Sequence, residues 1–384
     1  MKRIPSIDGL RAISVVMVLA AHSALTVDFP TELVSLFRVG GQIGVRVFFV
    51  LSGYLITWLL MKEEGSNGNI DLKGFFVRRS LRILPVYFAY IAVAAIMTSA
   101  GMINISTGGF AHAMTFTTGW LPIQDWALAH TWSLAVEEQF YLFWPFAFAL
   151  APVRYRMRLA TALILMAPIG RLACMTMNMP WLINYSFIGN GDAIMWGCAG
   201  AMFLNRSPDF VTRLTAFHTN IVRCLAVAIL FGSEACHRMH LLPVVTTPIT
   251  ITIQSVCISY IIFSVTSIRQ GMIFTVLNNK SVARLGVLSY SIYLWQQLAL
   301  FPADPTFEPA IWQRFPQNLV CVFAMAICSY HLIETPFLRL KTRMHSRRAA
   351  IPALDPSSET APILNGNFGT QIVVDSENAQ RKVA

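Results

Sequence analysis

Arg11 and His22 stand eleven residues apart on one hydrophobic segment near the start of the chain. Eleven residues make almost three helical turns, so the two side chains share a face and lie roughly 16 Å apart along the axis. With the arginine at a membrane surface, the histidine sits about halfway in. An ionisable group at that depth is costly, and a functional site is the default reading. Such a histidine can take a proton from a hydroxyl, or accept an acyl group itself. The plainer alternative is a structural histidine bonded to a backbone carbonyl.

Further along, Gly74-Phe75-Phe76-Val77-Arg78-Arg79-Ser80-Leu81-Arg82 places Arg79 and Arg82 three apart, on one helical face. They are either a basic membrane flank or a phosphate clamp, since guanidinium groups bind phosphate oxygens in pairs. The charge pattern puts Arg11, Arg79 and Arg82 at the same mouth, which favours a polyphosphate ligand. Coenzyme A fits: its nucleotide would sit among the arginines and its pantetheine arm would carry a thioester toward His22. The stretch from His130 to Tyr141 holds the adjacent pair Glu137 and Glu138, which must point to different faces of one helix. Arg171 and Asp192 also fall within apolar segments; they pair with each other or line an acceptor cavity.

These residues need a membrane scaffold to position them. The chain has 384 residues, 55% hydrophobic and 12% charged, with mean hydropathy +0.57. No soluble domain hides that much apolar surface, whereas a polytopic membrane protein must present it. The expected fold is all-α, with about ten transmembrane helices in one bundle: 12–27, 43–61, 83–100, 131–151, 159–177, 185–204, 221–235, 247–267, 285–301 and 317–338. The apolar piece 110–122 is too short to span and reads as re-entrant or interfacial. Lys2 and Arg3 before an apolar run resemble a signal peptide, but Arg11 and His22 suit one poorly.

The net charge of +10 is topological and does not signal nucleic acid. With loops alternating from an inside start, 24 of the 29 Lys and Arg residues fall inside. Both termini are then cytoplasmic and the 101–130 loop is external. Asp125, Trp126 and His130 lie at that external mouth, where aromatic and polar groups suit a sugar. The seven cysteines are scattered without metal-ligand spacing, so no metal is expected. Residues 1–343 form the membrane domain, and 344–384 read as a disordered cytoplasmic tail rich in Pro, Ser, Asn and Gly.

Six motifs, in order over residues 4–340, resemble the acyltransferase-3 family of integral-membrane acyltransferases. They are Ile7-Asp8-Gly9-Leu10-Arg11-Ala12 with His22; Gly44 to Ile56 around Phe48-Phe49-Val50-Leu51-Ser52-Gly53; Arg79-x-x-Arg82 with Pro85; Trp132 to Tyr141; Leu288 to Trp295; and Tyr330 to Phe337. The resemblance implies transfer of an acyl group, usually acetyl, from cytoplasmic acetyl-CoA to a carbohydrate hydroxyl reached from the outer face of an inner membrane. It implies donor-binding roles for Arg11, Arg79 and Arg82, catalysis by His22, and a supporting role for Glu138, which matches less closely. Gln296 departs from the family, which often has histidine there. No arginine precedes Asp192, where relatives often carry one. Both departures bear on the choice of acceptor, for which Asp192 is a candidate contact.

A transporter of a small anionic or glycan substrate is the alternative from another class. It would need inverted repeats and matched broken helices, and none is evident. A membrane scaffold leaves the Arg11–His22 register unexplained. The topology can be checked with cysteines at Ser66 and Thr117 in spheroplasts. An impermeant thiol reagent should label Thr117→Cys readily and Ser66→Cys only after lysis; the reverse pattern would invert the topology and remove the arginines from the compartment that holds acyl-CoA.

Overall fold

The computed structural model describes residues 6–122, 124–207, 220–239, 241–303 and 308–340. The tail 344–384 lies outside the described residues. The helices are α1 Ile7–Ser23, α2 Thr31–Arg38, α3 Gly40–Asn67, α4 Leu72–Ser99, α5 Thr107–Met114, α6 Trp126–Ala129, α7 Thr131–Leu150, α8 Val153–Thr176, α9 Pro180–Tyr185, α10 Phe187–Arg206, α11 Asn220–Arg238, α12 Pro243–Ser267, α13 Met272–Leu277, α14 Lys280–Ala299 and α15 Gln317–Leu340. No strand occurs among the described residues. Ten of these helices have 17 residues or more, and each overlaps one expected span.

Six segments are long and apolar enough to cross a membrane: Thr31–Asn67, Leu72–Ser99, Val153–Thr176, Asn220–Arg238, Val245–Ser267 and Gln317–Leu340. Several present bare apolar side chains outward, as Ile96, Leu165, Ile169 and Leu332 do. The other four long helices, α1, α7, α10 and α14, are shorter or less apolar. Helices α10 and α14 are mostly buried, and α1 runs between α3 and α14. Buried polar side chains occur on these inner helices, as Asn190, Asp192, Gln296 and Gln297 do, and on the inward faces of the long apolar ones, as Arg46, Arg171 and Gln254 do.

Small residues allow the inner helices to approach closely, as expected where apolar burial alone does not drive helices together. A Cβ at Gly53 would lie 2.0 Å from the Ile194 carbonyl oxygen, and one at Gly197 would lie 2.1 Å from that of Val50. Any larger residue would force α3 and α10 apart.

The expected loop 62–82 is mostly helix. Helix α3 continues to Asn67, Gly68 turns the chain at φ 72°, and the Asp71 carboxylate caps α4 by accepting from the Gly74 amide at 2.9 Å. Ion pairs from Arg78 to Glu63 (3.1 Å) and from Arg156 to Glu64 (2.5 Å) brace this end. Arg79 and Arg82 therefore project from a rigid helix. The segment 110–122 forms part of α5 and a single 3-10 turn, Thr118–Trp120, packed against α7 and α9.

Arg171 and Asp192 pair. Both side chains are fully buried; two guanidinium nitrogens meet the two carboxylate oxygens at 3.0 and 2.9 Å, and Arg171 also donates to the Pro248 and Gly189 carbonyls. Thr252 donates to Asp192 at 2.6 Å. The pair ties α8, α10 and α12 together. Removing one partner strands the other charge, at a cost of about 3–5 kcal/mol. Asp192→Asn should therefore lower the thermal unfolding midpoint in detergent sharply, with Arg171→Met/Asp192→Leu recovering much of it. A stable Asp192→Asn protein with altered acceptor choice would instead make Asp192 a substrate contact.

Candidate functional site

Two cavities lie along α1, one around each end of the Arg11–His22 pair. The first, about 100 Å³, is lined by Arg11, Arg79, Arg82, Glu137, Ser52 and Ser133 together with apolar residues of α3 and α14. Helix α1 supplies Arg11, α4 supplies Arg79 and Arg82, and α7 supplies Glu137. Three guanidinium groups thus line the cavity with one carboxylate, while Asp8, Glu138 and Glu334 lie in their electrostatic neighbourhood outside it. Arg82 lies close enough to Arg11 and Arg79 for mutual repulsion. Like charges crowded in a poorly solvated site call for an anion, so the cavity suits a phosphorylated ligand.

Arg79 reaches Glu137 at 3.9 Å and stacks over the Tyr141 ring at 3.8 Å. Tyr141 donates to Glu137 at 2.5 Å, and its hydroxyl oxygen lies 3.0 Å from the Ser52 hydroxyl, which can donate to it. The Ser52–Gly53 motif therefore has two separate physical uses: Gly53 admits α10, and Ser52 helps set the orientation of Tyr141 beneath Arg79. Glu334 sits at the end of a π-helical turn, Tyr330–Glu334, accepts from Ser291 at 3.0 Å, and lies in the electrostatic neighbourhood of Arg11 and Arg82.

The second cavity, about 390 Å³, is lined by His22, Trp126, His130, Trp132, Gln124 and Tyr185 among others. Trp126 meets His22 edge-on with ring centroids 5.6 Å apart, and its indole N–H donates to the Gln297 carbonyl at 3.2 Å. Aromatic faces beside polar groups are what a sugar ring requires. Gln296 lies near the His22 ring. His22 Nδ1 and both amide atoms of Gln296 are buried without a hydrogen-bond partner among the described residues. Both ring nitrogens of His130 are likewise buried without a partner.

The expected residues thus divide. Arg11, Arg79 and Arg82 converge on one cavity, and His22, Trp126 and His130 on the other. Asp125 points away and accepts from the Ser106 amide and hydroxyl at 3.1 and 2.8 Å, holding the start of α5. Asp192 is taken up by Arg171. Of the two adjacent glutamates, Glu137 lines the arginine cavity, while Glu138 has Arg79, Tyr87 and Tyr290 as neighbours; the side chain brought to His22 is Gln296. Glu137, Gln296 and Tyr293 were not singled out by sequence as site residues. The motif Trp132–Tyr141 held Glu137, but nothing local tells which of two neighbouring residues faces inward. Among the described residues no three His, Cys, Asp or Glu side chains converge to hold a metal ion.

Lysine keeps the charge of an arginine but not its paired donors. Arg79→Lys and Arg82→Lys should each weaken coenzyme A binding about tenfold or more, the scale of one lost charge-assisted contact. Calorimetric titration of the purified protein measures this; unchanged affinity in both variants would reduce these arginines to a membrane flank.

Residues 4–334 match the model of an acyltransferase domain, acyltransferase family 3. The peptidoglycan O-acetyltransferase OatA of Listeria monocytogenes is 28% identical over 366 residues, covering 87% of this chain and 56% of that protein. The Bacillus subtilis protein named "Putative peptidoglycan O-acetyltransferase YrhL" is 26% identical over 398 residues, covering 95% of this chain and 60% of that protein. The chain thus spans somewhat over half the length of these curated relatives. No solved structure matches it. With the six motifs carried on one helical bundle and the family model matched almost end to end, the chain belongs to the acyltransferase-3 family.

Proposed function

We propose that this protein is a membrane O-acetyltransferase that moves an acetyl group from cytoplasmic acetyl-CoA to a hydroxyl of a cell-surface carbohydrate or its lipid-linked precursor. The names of its relatives favour a peptidoglycan sugar as the acceptor. The observation that carries the reading is three arginines and one histidine in two adjoining cavities of a single bundle, with Arg11 and His22 on one helix. A transporter would leave unexplained why the cationic site and the histidine occupy separate cavities.

In this reading the donor phosphates rest among Arg11, Arg79 and Arg82, and the pantetheine arm runs along α1. The acceptor enters between Trp126 and His130. His22 takes the proton of the sugar hydroxyl, the oxygen attacks the thioester carbonyl, and the carbon–sulfur bond breaks. The coenzyme A thiolate then receives the proton from the imidazolium, which restores His22. A variant of the same chemistry has His22 carry the acetyl group between the two sides. Gln296, near the His22 ring, can orient the imidazole once a ligand draws the two together, whereas Glu138, for which the sequence implied a supporting role, neighbours Arg79. The arginine-rich side is cytoplasmic by the positive-inside rule, and a two-sided site lets the acetyl group cross while coenzyme A stays inside.

His22→Ala should insert and fold like the wild type, because alanine is tolerated in an apolar helix. General-base catalysis is commonly worth about 10²–10⁴-fold. Transfer of labelled acetyl from acetyl-CoA to a muropeptide or glycan acceptor, in reconstituted protein, should fall by at least that lower factor. Activity near half of wild type would remove His22 from the chemistry. No turnover of acetyl-CoA by the wild type would end the donor assignment.

A further inference from the structure

Two side chains border both cavities: Val45 of α3 and Tyr293 of α14. Around them the walls change sides within one or two residues. On α7, Trp132 faces the His22 cavity while Ser133 faces the arginine cavity, and the neighbouring His130 belongs to the former. The Tyr293 hydroxyl joins the two walls. It donates to the His130 carbonyl at 3.1 Å and meets the Ser133 hydroxyl at 2.5 Å. Its ring lies between Phe48, which lines the arginine side, and His130, with centroids 6.2 and 5.7 Å away. Tyr293 is buried, so the partition between the cavities is one side chain thick.

We propose that Tyr293, which with Val45 borders both cavities, is the gate between the donor and acceptor sides, and that it limits the acyl group to a short one. A thioester arm rising from the arginines reaches the His22 side only by displacing this ring. The hydrogen bonds that hold it are between neutral groups, and rotation about the side-chain bonds breaks them without moving a helix. An acetyl group needs only a small displacement. Each added methylene needs more, and the neighbouring rings of Phe48 and His130 resist it. While closed, the ring also keeps acceptor-side water from the thioester. With the gate open and no acceptor bound, water would attack the carbonyl, the carbon–sulfur bond would break, and acetate and coenzyme A would leave.

The acyl-length part rests on the acetyl-CoA reading; the partition does not, and two measurements separate them. The first uses a background whose seven native cysteines are replaced, with Ser52→Cys placed in the arginine cavity. A small impermeant thiol reagent added on the His22 side should label this cysteine slowly when Tyr293 is present and several-fold faster with Tyr293→Ala. Equal rates would overturn the partition. The second compares acetyl-CoA with butyryl-CoA, and hydrolysis with transfer, in reconstituted protein. Tyr293→Ala should shift the preference toward butyryl-CoA by about tenfold or more, the scale of pocket discrimination per methylene. Tyr293→Phe, which keeps the ring and loses its hydrogen bonds, should raise acceptor-independent hydrolysis of acetyl-CoA with little change in length preference. Val45→Ala provides a milder opening if Tyr293→Ala folds poorly. Wild-type length preference and hydrolysis ratio in all three variants would overturn the gate. Faster labelling in a protein that consumes no acyl-CoA would leave the partition standing and end the donor reading instead.

Discussion

A guanidinium group inside a helical bundle must be neutralised where it stands, and this molecule does so in two distinct ways. Arg171 is closed off by Asp192, Thr252 and two backbone carbonyls. Arg46 is held by Gln254 and lies 3.6 Å from Glu234. These arginines are structural: their charge is consumed by neighbours, and they fasten helices distant in sequence. Arg11, Arg79 and Arg82 instead share one cavity and the single lining carboxylate of Glu137. Asp8, Glu138 and Glu334 lie near these arginines but outside the cavity lining, so it is the excess of guanidinium groups over carboxylates in the lining itself on which the donor reading depends. The saturated pairs matter to it indirectly, because they hold rigid the bundle that keeps three like charges together.

The division of labour among helices follows from the same constraint. A helix that faces lipid has to be apolar, so α4, α8, α11 and α15 carry their bare aliphatic side chains outward. A helix surrounded by other helices is released from that demand and can carry serines, amides and charges. The inner helices α1, α7, α10 and α14 therefore hold His22, Glu137, Asp192, Gln296 and Tyr293. Close packing at Gly53 and Gly197 is the condition for this arrangement, since it lets inner helices satisfy polar groups against one another.

The two cavities give the molecule a direction. Arg11 and His22 are fixed to one helix, so the distance between the arginine cavity and the imidazole is set by α1 itself. What can vary is the thin wall between them. A single tyrosine, bonded to one residue from each side, concentrates that variability at one place.

Much of this was legible in the chain. Hydropathy marked the ten long helices, because lipid burial acts on composition over a whole window, but missed their ends by up to eleven residues, as at Leu72, where α4 begins ahead of the expected 83. The helical period alone put Arg11 and His22 on one face, and Arg79 and Arg82 on another, since a period is a local property. Motif order identified the family. Other features depended on tertiary structure. Whether Glu137 or Glu138 faces the arginines depends on the rotation of α7, which is set by α3, α10 and the 3-10 turn packed against it. Asp192 could have faced a cavity or Arg171, and the crossing of α8, α10 and α12 decided for the arginine. Asp125 was drawn to Ser106 at the start of α5 by the fold of the segment between α4 and α7. Gln296 reached His22, and Tyr293 reached the wall, because α14 lies beside α1 across more than 250 residues of chain. Periodicity along one helix sets which residues share a face; only packing against distant helices determines what that face meets.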